Sequence, residues 1–183
     1  MALSIKFNAP VTLTFSLVCT LILVADVFLM GNVMPFFTAY PGLNFSNPLQ
    51  IVTLFSHVLG HVNISHLLGN LTFVLLLGPI IEEKYGTQKL LTMILITALI
   101  TGLVNAMFFD TGLMGASGIV FMMILLVSFT NVRGGEIPLT FILVAILFVG
   151  KEFLASTESN QIAESAHIIG GFCGSLFGFR AAR

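Results

Sequence analysis

Phe108-Phe109-Asp110-Thr111-Gly112-Leu113-Met114-Gly115-Ala116-Ser117-Gly118-Ile119-Val120-Phe121 passes from a polar, glycine-dotted loop into an apolar helix, with Ser117 at the junction. A serine at a helix start is ordinarily a cap, because its oxygen accepts from the orphan amides of the first turn. Alone, the tetrad Gly115-Ala116-Ser117-Gly118 says no more than that, since such tetrads match many unrelated turns. Its meaning depends on what the rest of the chain sets beside it.

The surroundings are apolar. Of 183 residues, 57% are hydrophobic and 8% are charged, against about 25% charged in an ordinary soluble domain. With a mean hydropathy of +1.06, this is an integral membrane protein, because a soluble fold of this length cannot hide so much apolar surface. A net charge of −1 leaves no nucleic-acid footprint and no polybasic lipid-binding patch. Cys19 and Cys173 each lie in an apolar run where any small hydrophobic residue would serve, so they carry no redox information.

Working outward from Ser117, the apolar runs predict six spans at residues 11–31, 66–81, 90–107, 117–132, 137–154 and 166–179. Each approaches the length needed to cross a hydrocarbon core of about 30 Å. The first run exceeds a signal-peptide core of about 7 to 15 residues and lacks a small-residue cleavage site, so it reads as a helix. Asp26 falls near its outer end, within reach of water. Connections at 82–89, 108–116, 133–136 and 155–165 are short, which makes one all-α, up-and-down bundle over residues 1–183. The longest one, 32–61, carries Pro35, Pro41 and Pro48 with several aromatics and no lysine or arginine, the composition of a compact loop lying in the interface.

With the N-terminus inside, Lys6, Lys84, Lys89, Arg133, Arg180 and Arg183 all fall on the inner side and only Lys151 toward the outer one. The positive-inside rule therefore puts both termini in the cytoplasm, with the loops before Ser117 and before His167 facing out. From Ser117 to Arg133 the fourth span offers sixteen residues, about 24 Å of helix against a core of about 30 Å. Ser117 is then expected below the outer surface. Irregular backbone at that depth is tolerated only inside protein or beside a wet cavity, so Ser117 is predicted at the floor of a water-accessible cavity.

All four histidines, at positions 57, 61, 66 and 167, fall at this outer level. His167 opens the sixth span, and its offsets of +4, +7 and +11 land on Gly171, Gly174 and Gly178, so imidazole and glycines share one helical face. Glycines spaced by four let a neighbouring backbone approach closely. The fourth span, which also begins with small residues, is the natural partner, and that approach brings His167 to Ser117. His66 and Asn70 are four apart, stacked on one face of the second span. Aimed at the cavity, they are donors for a developing oxyanion, together with the Ser117 amide at its helix N-terminus. His57-x3-His61-x4-His66 also has the look of a metal-ligand spacing, and a zinc or haem site with His167 is an alternative. It leaves Ser117 and Asn70 idle and offers no cysteine or nearby carboxylate; the favoured role for His57 and His61 is to brace the outer loop, with no metal and no cofactor.

Taken together, His57-x3-His61-x4-His66-x3-Asn70, Glu82-x3-Gly86, Gly115-Ala116-Ser117-Gly118 and Ala166-His167-x2-Gly170 resemble the rhomboid intramembrane serine proteases, in order and over nearly the whole chain. The resemblance implies the basic six-helix, bacterial-type form in the plasma (inner) membrane. It makes Ser117 the nucleophile and His167 the general base, with His66, Asn70 and the Ser117 amide as oxyanion donors and single-span transmembrane proteins as substrates. Where the family commonly has an imidazole-stacking tyrosine this chain has Phe121, and the family's outer-loop Trp-Arg pair would fall near Val52-Thr53, where neither residue is kept. A rhomboid-like protein that only binds and escorts membrane clients is the other alternative; a transporter is disfavoured because no span carries an ion pair or a broken helix at mid-membrane.

Overall fold

The computed structural model of the chain describes residues 4–129, 137–155 and 161–181, with side chains described except at 148–155 and 161–164. Arg133, Arg183 and the turn at 133–136 lie outside the described residues. Among the described residues seven α-helices run in order: α1 (Pro10–Phe28), α2 (Pro48–Ser56), α3 (Ile64–Tyr85), α4 (Thr87–Phe108), α5 (Ser117–Val127), α6 (Leu139–Ala155) and α7 (Gln161–Ala181). The molecule is an all-α membrane bundle, and α1, α3 and α4 are each long and apolar enough to cross a bilayer.

The extra helix, α2, belongs to the outer loop. Asn47 caps it by accepting from the Leu49 amide, and Pro48 stands at its first position, where a missing N–H is harmless. Two 3-10 turns, Met34–Phe37 and His57–Leu59, complete a compact loop. Asp26 is tied into it: its Oδ1 accepts from the amides of Val33 and Met34, both at 2.9 Å. The loop is fastened to the bundle by backbone pairing of Ala39 with Leu113, 2.9 Å in each direction. Asn105 on α4 adds Nδ2 bonds of 3.0 Å to the carbonyls of Ala39 and Thr111.

Several boundaries differ from the sequence expectation; α7 begins at Gln161, five residues before the expected 166, so His167 lies within the helix and does not open it. The connection expected over 82–89 shrinks to Gly86 alone, which ends α3 and precedes α4 with φ of +88°. Only glycine adopts that conformation without strain. The helix runs through Glu82 because that side chain is consumed elsewhere: its two oxygens accept from the Val11 amide (2.9 Å), the Thr12 amide (3.1 Å) and the Thr12 hydroxyl (2.9 Å). A carboxylate thus closes the open N-terminus of α1, where the helix dipole favours it. Finally, α5 ends at Val127 with Ser128 as its C-cap, short of the expected 132; residues 130–132 lie outside the described residues.

At about 1.5 Å per residue the eleven residues of α5 make only about 16 Å of helix. Most of them are buried, from Gly118 to Leu126, so α5 is the central post that α3, α4 and α7 surround. A helix apolar on all sides requires such a position. Its most intimate partner is α7. A Cβ placed on Gly170 would collide with the Gly118 carbonyl, one on Gly174 with the Met122 carbonyl, and one on Gly178 with the Phe129 ring. The tight stripe is therefore Gly170, Gly174 and Gly178, spaced strictly by four; Gly171 is buried beside it.

Gly174→Leu is expected to lower stability by about 3 kcal/mol or more, because the obstructing group is backbone and cannot yield. Gly69→Ala on α3, where a Cβ meets nothing within 4 Å, should instead raise stability by about 0.5–1 kcal/mol. Unfolding of both variants in one detergent checks the contrast; equal effects would refute the packing argument. A pH dependence follows from His57, buried between the outer loop and α4, whose pKa burial pushes down from 6.5 to about 4. The unfolded chain takes up this proton where the folded one does not, so the His57 contribution is fully present above about pH 6.5 and is lost as pH falls toward 4, by roughly 3 kcal/mol. Unfolding measured across that interval should show a shallower slope in His57→Gln than in the natural protein; parallel curves would rule the contribution out.

Candidate active site

The first residue of α5 is Ser117, and the N-cap position is Ala116, which has no capping side chain. The ordinary cap role for this serine is thus not the one the fold uses. Ser117 is half-buried and lies one turn before Phe121, on the same face of α5.

His167 reaches that face through the glycine contact. Because α7 seats Ala166 and Gly170 directly on Gly118, the intervening imidazole is carried alongside α5. Its ring packs on Phe121 with centroids 4.2 Å apart and planes inclined by 40°. Phenylalanine in place of tyrosine still provides the flat surface on which the imidazole leans.

The backbone before Ser117 is shaped by the histidines of the outer loop and α3. Gly115 adopts φ of +126°, and a Cβ there would lie 2.6 Å from Cε1 and 2.9 Å from Nε2 of His66. Glycine is required twice over, by conformation and by the ring pressed against it. The Gly115 amide donates to the His57 carbonyl at 2.9 Å, and the Ala116 amide is 3.5 Å from Nε2 of His61. His61 and His66 meet edge to face at 5.1 Å. One turn further along α3, Asn70 is 7% exposed, and among the described residues its Nδ2 has no hydrogen-bond partner. Leaving such a donor unmade costs about 1–3 kcal/mol.

The structure thus brings together His57, His61 and His66 with Gly115 and Ala116, the two residues before Ser117, through direct contacts, and Phe121 with His167. For His57 and His61 it also accounts for the ring nitrogens. His57 Nδ1 donates to the Thr53 carbonyl (3.1 Å) and its Nε2 faces the Thr101 hydroxyl (3.2 Å); His61 Nδ1 donates to the Leu59 carbonyl (3.2 Å). With Nδ1 spent on a carbonyl, each ring keeps only its Nε2 lone pair, and that nitrogen faces the protein, at the Thr101 hydroxyl or the Ala116 amide. Among the described residues no group of three or more His, Cys, Asp or Glu side chains is arranged to hold an ion. Burial pushes the His61 pKa down to about 4, helped by the neighbouring His66, so both rings are neutral at physiological pH.

Two functional neighbours had no separate place in the sequence reading. Thr101 braces His57 and touches the Gly118 position, and Thr53, which stands where the missing Trp-Arg pair would fall, is buried with its carbonyl bound to His57. Neither belongs to a spacing pattern, so only contact reveals them.

Comparison with known proteins identifies relatives of the chain. Residues 48–183 match the family model described as the Rhomboid domain. The chain is 25% identical over 175 residues to the rhomboid protease GlpG of Haemophilus influenzae, an alignment covering 94% of this chain and 91% of that protein. It is 28% identical over 174 residues to the rhomboid protease GlpG of Yersinia pestis, and equally to that of Yersinia pseudotuberculosis; there the alignment covers 93% of this chain and 62% of the relative. Against the Yersinia proteins the chain therefore spans a little under two thirds of their length. With a matching domain over most of its length and the helical membrane bundle that domain requires, the chain belongs to the rhomboid family of intramembrane proteases.

Proposed function

We propose that this protein cleaves peptide bonds in single-span transmembrane substrates with Ser117 as nucleophile and His167 as base. The carrying observation is the glycine-to-glycine seating of α7 on α5, which packs His167 on Phe121, one turn from Ser117. A serine hydroxyl is a weak nucleophile without a base in reach. In this reading the neutral imidazole takes the hydroxyl proton as Oγ attacks the scissile carbonyl, then passes it to the leaving amine. Water entering from the cavity resolves the acyl-enzyme by the same exchange in reverse.

The negative charge on the carbonyl oxygen is received by the Ser117 amide, His66 and Asn70. The amide stands at the positive end of α5, His66 is wedged against Gly115, and Asn70 holds an unpaired buried donor. Preorganised donors of this kind require no rearrangement as charge develops. A dyad without a carboxylate leaves imidazole orientation to packing, which Phe121 supplies. Substrate segments must unwind locally before reaching the serine, because a helix keeps its peptide bonds in its own ladder. In this reading the termini are cytoplasmic and the site opens to the outer side of the plasma (inner) membrane, as the distribution of basic residues requires.

Ser117→Ala and His167→Ala are each expected to abolish cleavage of a single-span reporter while unfolding as the natural protein does. A fluorophosphonate probe should label the natural protein and not Ser117→Ala; equal labelling would remove Ser117 as nucleophile, and no labelling of either would favour a binding role without catalysis. His66→Ala and Asn70→Ala should each lower kcat by about 10²-fold or more. Near-normal turnover in both would leave backbone amides as the only oxyanion donors.

A further inference from the structure

His61 is fully buried beside the site, and its ring makes three contacts. Nδ1 lies 3.2 Å from the Leu59 carbonyl oxygen, which only accepts. Nε2 lies 3.5 Å from the Ala116 amide nitrogen, which only donates. The ring edge meets the His66 imidazole at 5.1 Å. Neither backbone partner can exchange roles, so the proton must sit on Nδ1 and Nε2 must be bare. His66, in turn, is held between this ring and Gly115, two residues before Ser117.

We infer that His61 is a positioning residue: as a neutral, Nδ1-protonated imidazole it holds the Ala116 amide at the start of α5 and backs the His66 ring against Gly115. It therefore sets two sides of the space in front of Ser117 at once without touching substrate. That bond holds the peptide plane between residues 115 and 116, directly before the one that carries the Ser117 amide. A misplacement of about 1 Å in such donors lowers rates by about 10²-fold. The role assigned here rests on the Ser117–His167 reading only for its kinetic consequence; the ring state stands on geometry alone.

The test has two arms. Histidine rings labelled with 15N in the full-length protein, with the His61 signals assigned by their loss in His61→Gln, should show a neutral Nδ1-protonated tautomer at neutral pH. An Nε2-protonated ring or an imidazolium would overturn the inference. This arm needs no turnover, so a protein without Ser117-dependent cleavage would refute the proposed function and leave the ring state to be decided here. In the kinetic arm, His61→Gln, which keeps an acceptor and a donor, should hold kcat within about 3-fold. His61→Leu should lower kcat by about 10-fold or more with KM within about 2-fold. In a His66→Ala background the loss from His61→Leu should shrink by at least about 3-fold, because the ring it supports is gone. Equal losses for Gln and Leu, or losses that simply multiply with His66→Ala, would overturn the positioning role. Should His61→Leu not fold, a 10-fold loss of kcat in His61→Gln would have the same force.

Discussion

The close approach of α5 and α7 is the constraint on which the rest of the structure depends. Two helices whose carbonyls and Cα atoms touch at Gly118–Gly170 and Met122–Gly174 have no freedom to rotate or slide. In lipid there is little hydrophobic force between helices, and association depends on packing and hydrogen bonds. Backbone contact of this kind supplies dense packing and also fixes register. Since His167 lies between Ala166 and Gly170, both in that seam, its position relative to α5 is decided by the same contact. The placement of His167 beside α5 and the stability of the bundle then have one origin.

The outer loop provides a second level of control. A polar group in a membrane protein must find an internal partner, and this loop meets that demand with neutral imidazoles and backbone. His57 and His61 each bind a carbonyl within their own segment through Nδ1 and turn Nε2 toward the bundle, one to Thr101 and one to Ala116. The Ala39–Leu113 pairing and the Asn105 side chain clamp the loop preceding Ser117 from its other side. The serine is thus approached by a backbone held on both flanks. At the opposite end of α3, Glu82 does comparable work for α1 by closing its N-terminal amides. Hydrogen bonds to a carboxylate, each of about 1.5–3 kcal/mol, join the ends of two long helices there.

Much of this was legible beforehand. Long apolar runs announced the helices, because a membrane admits few alternatives to a helix once its backbone must satisfy itself. The shared face of His167 with Gly174 and Gly178, and that of His66 with Asn70, followed from helical period. Other features could not be read. The reduction of the second connection to Gly86 depends on Glu82 being drawn to α1, a partner some seventy residues away in the chain. The helix inside the outer loop packs against α4, a segment distant in the chain. Thr101 and Thr53 carry no pattern at all; they matter because a histidine ring happens to lie against them.

By itself, then, the sequence determined the membrane class, the helical architecture and the identity of the chemically capable residues, since these follow from apolar content, period and side-chain chemistry that no fold can alter. Tertiary structure alone decided which of those residues meet and in what state. It chose Gly170 as the closest point of the seam, pressed His66 onto Gly115, left the Asn70 donor without a partner among the described residues, and gave both nitrogens of His61 to the backbone. Such choices belong to packing, where the relation between two groups is fixed by every contact around them and by no spacing along the chain.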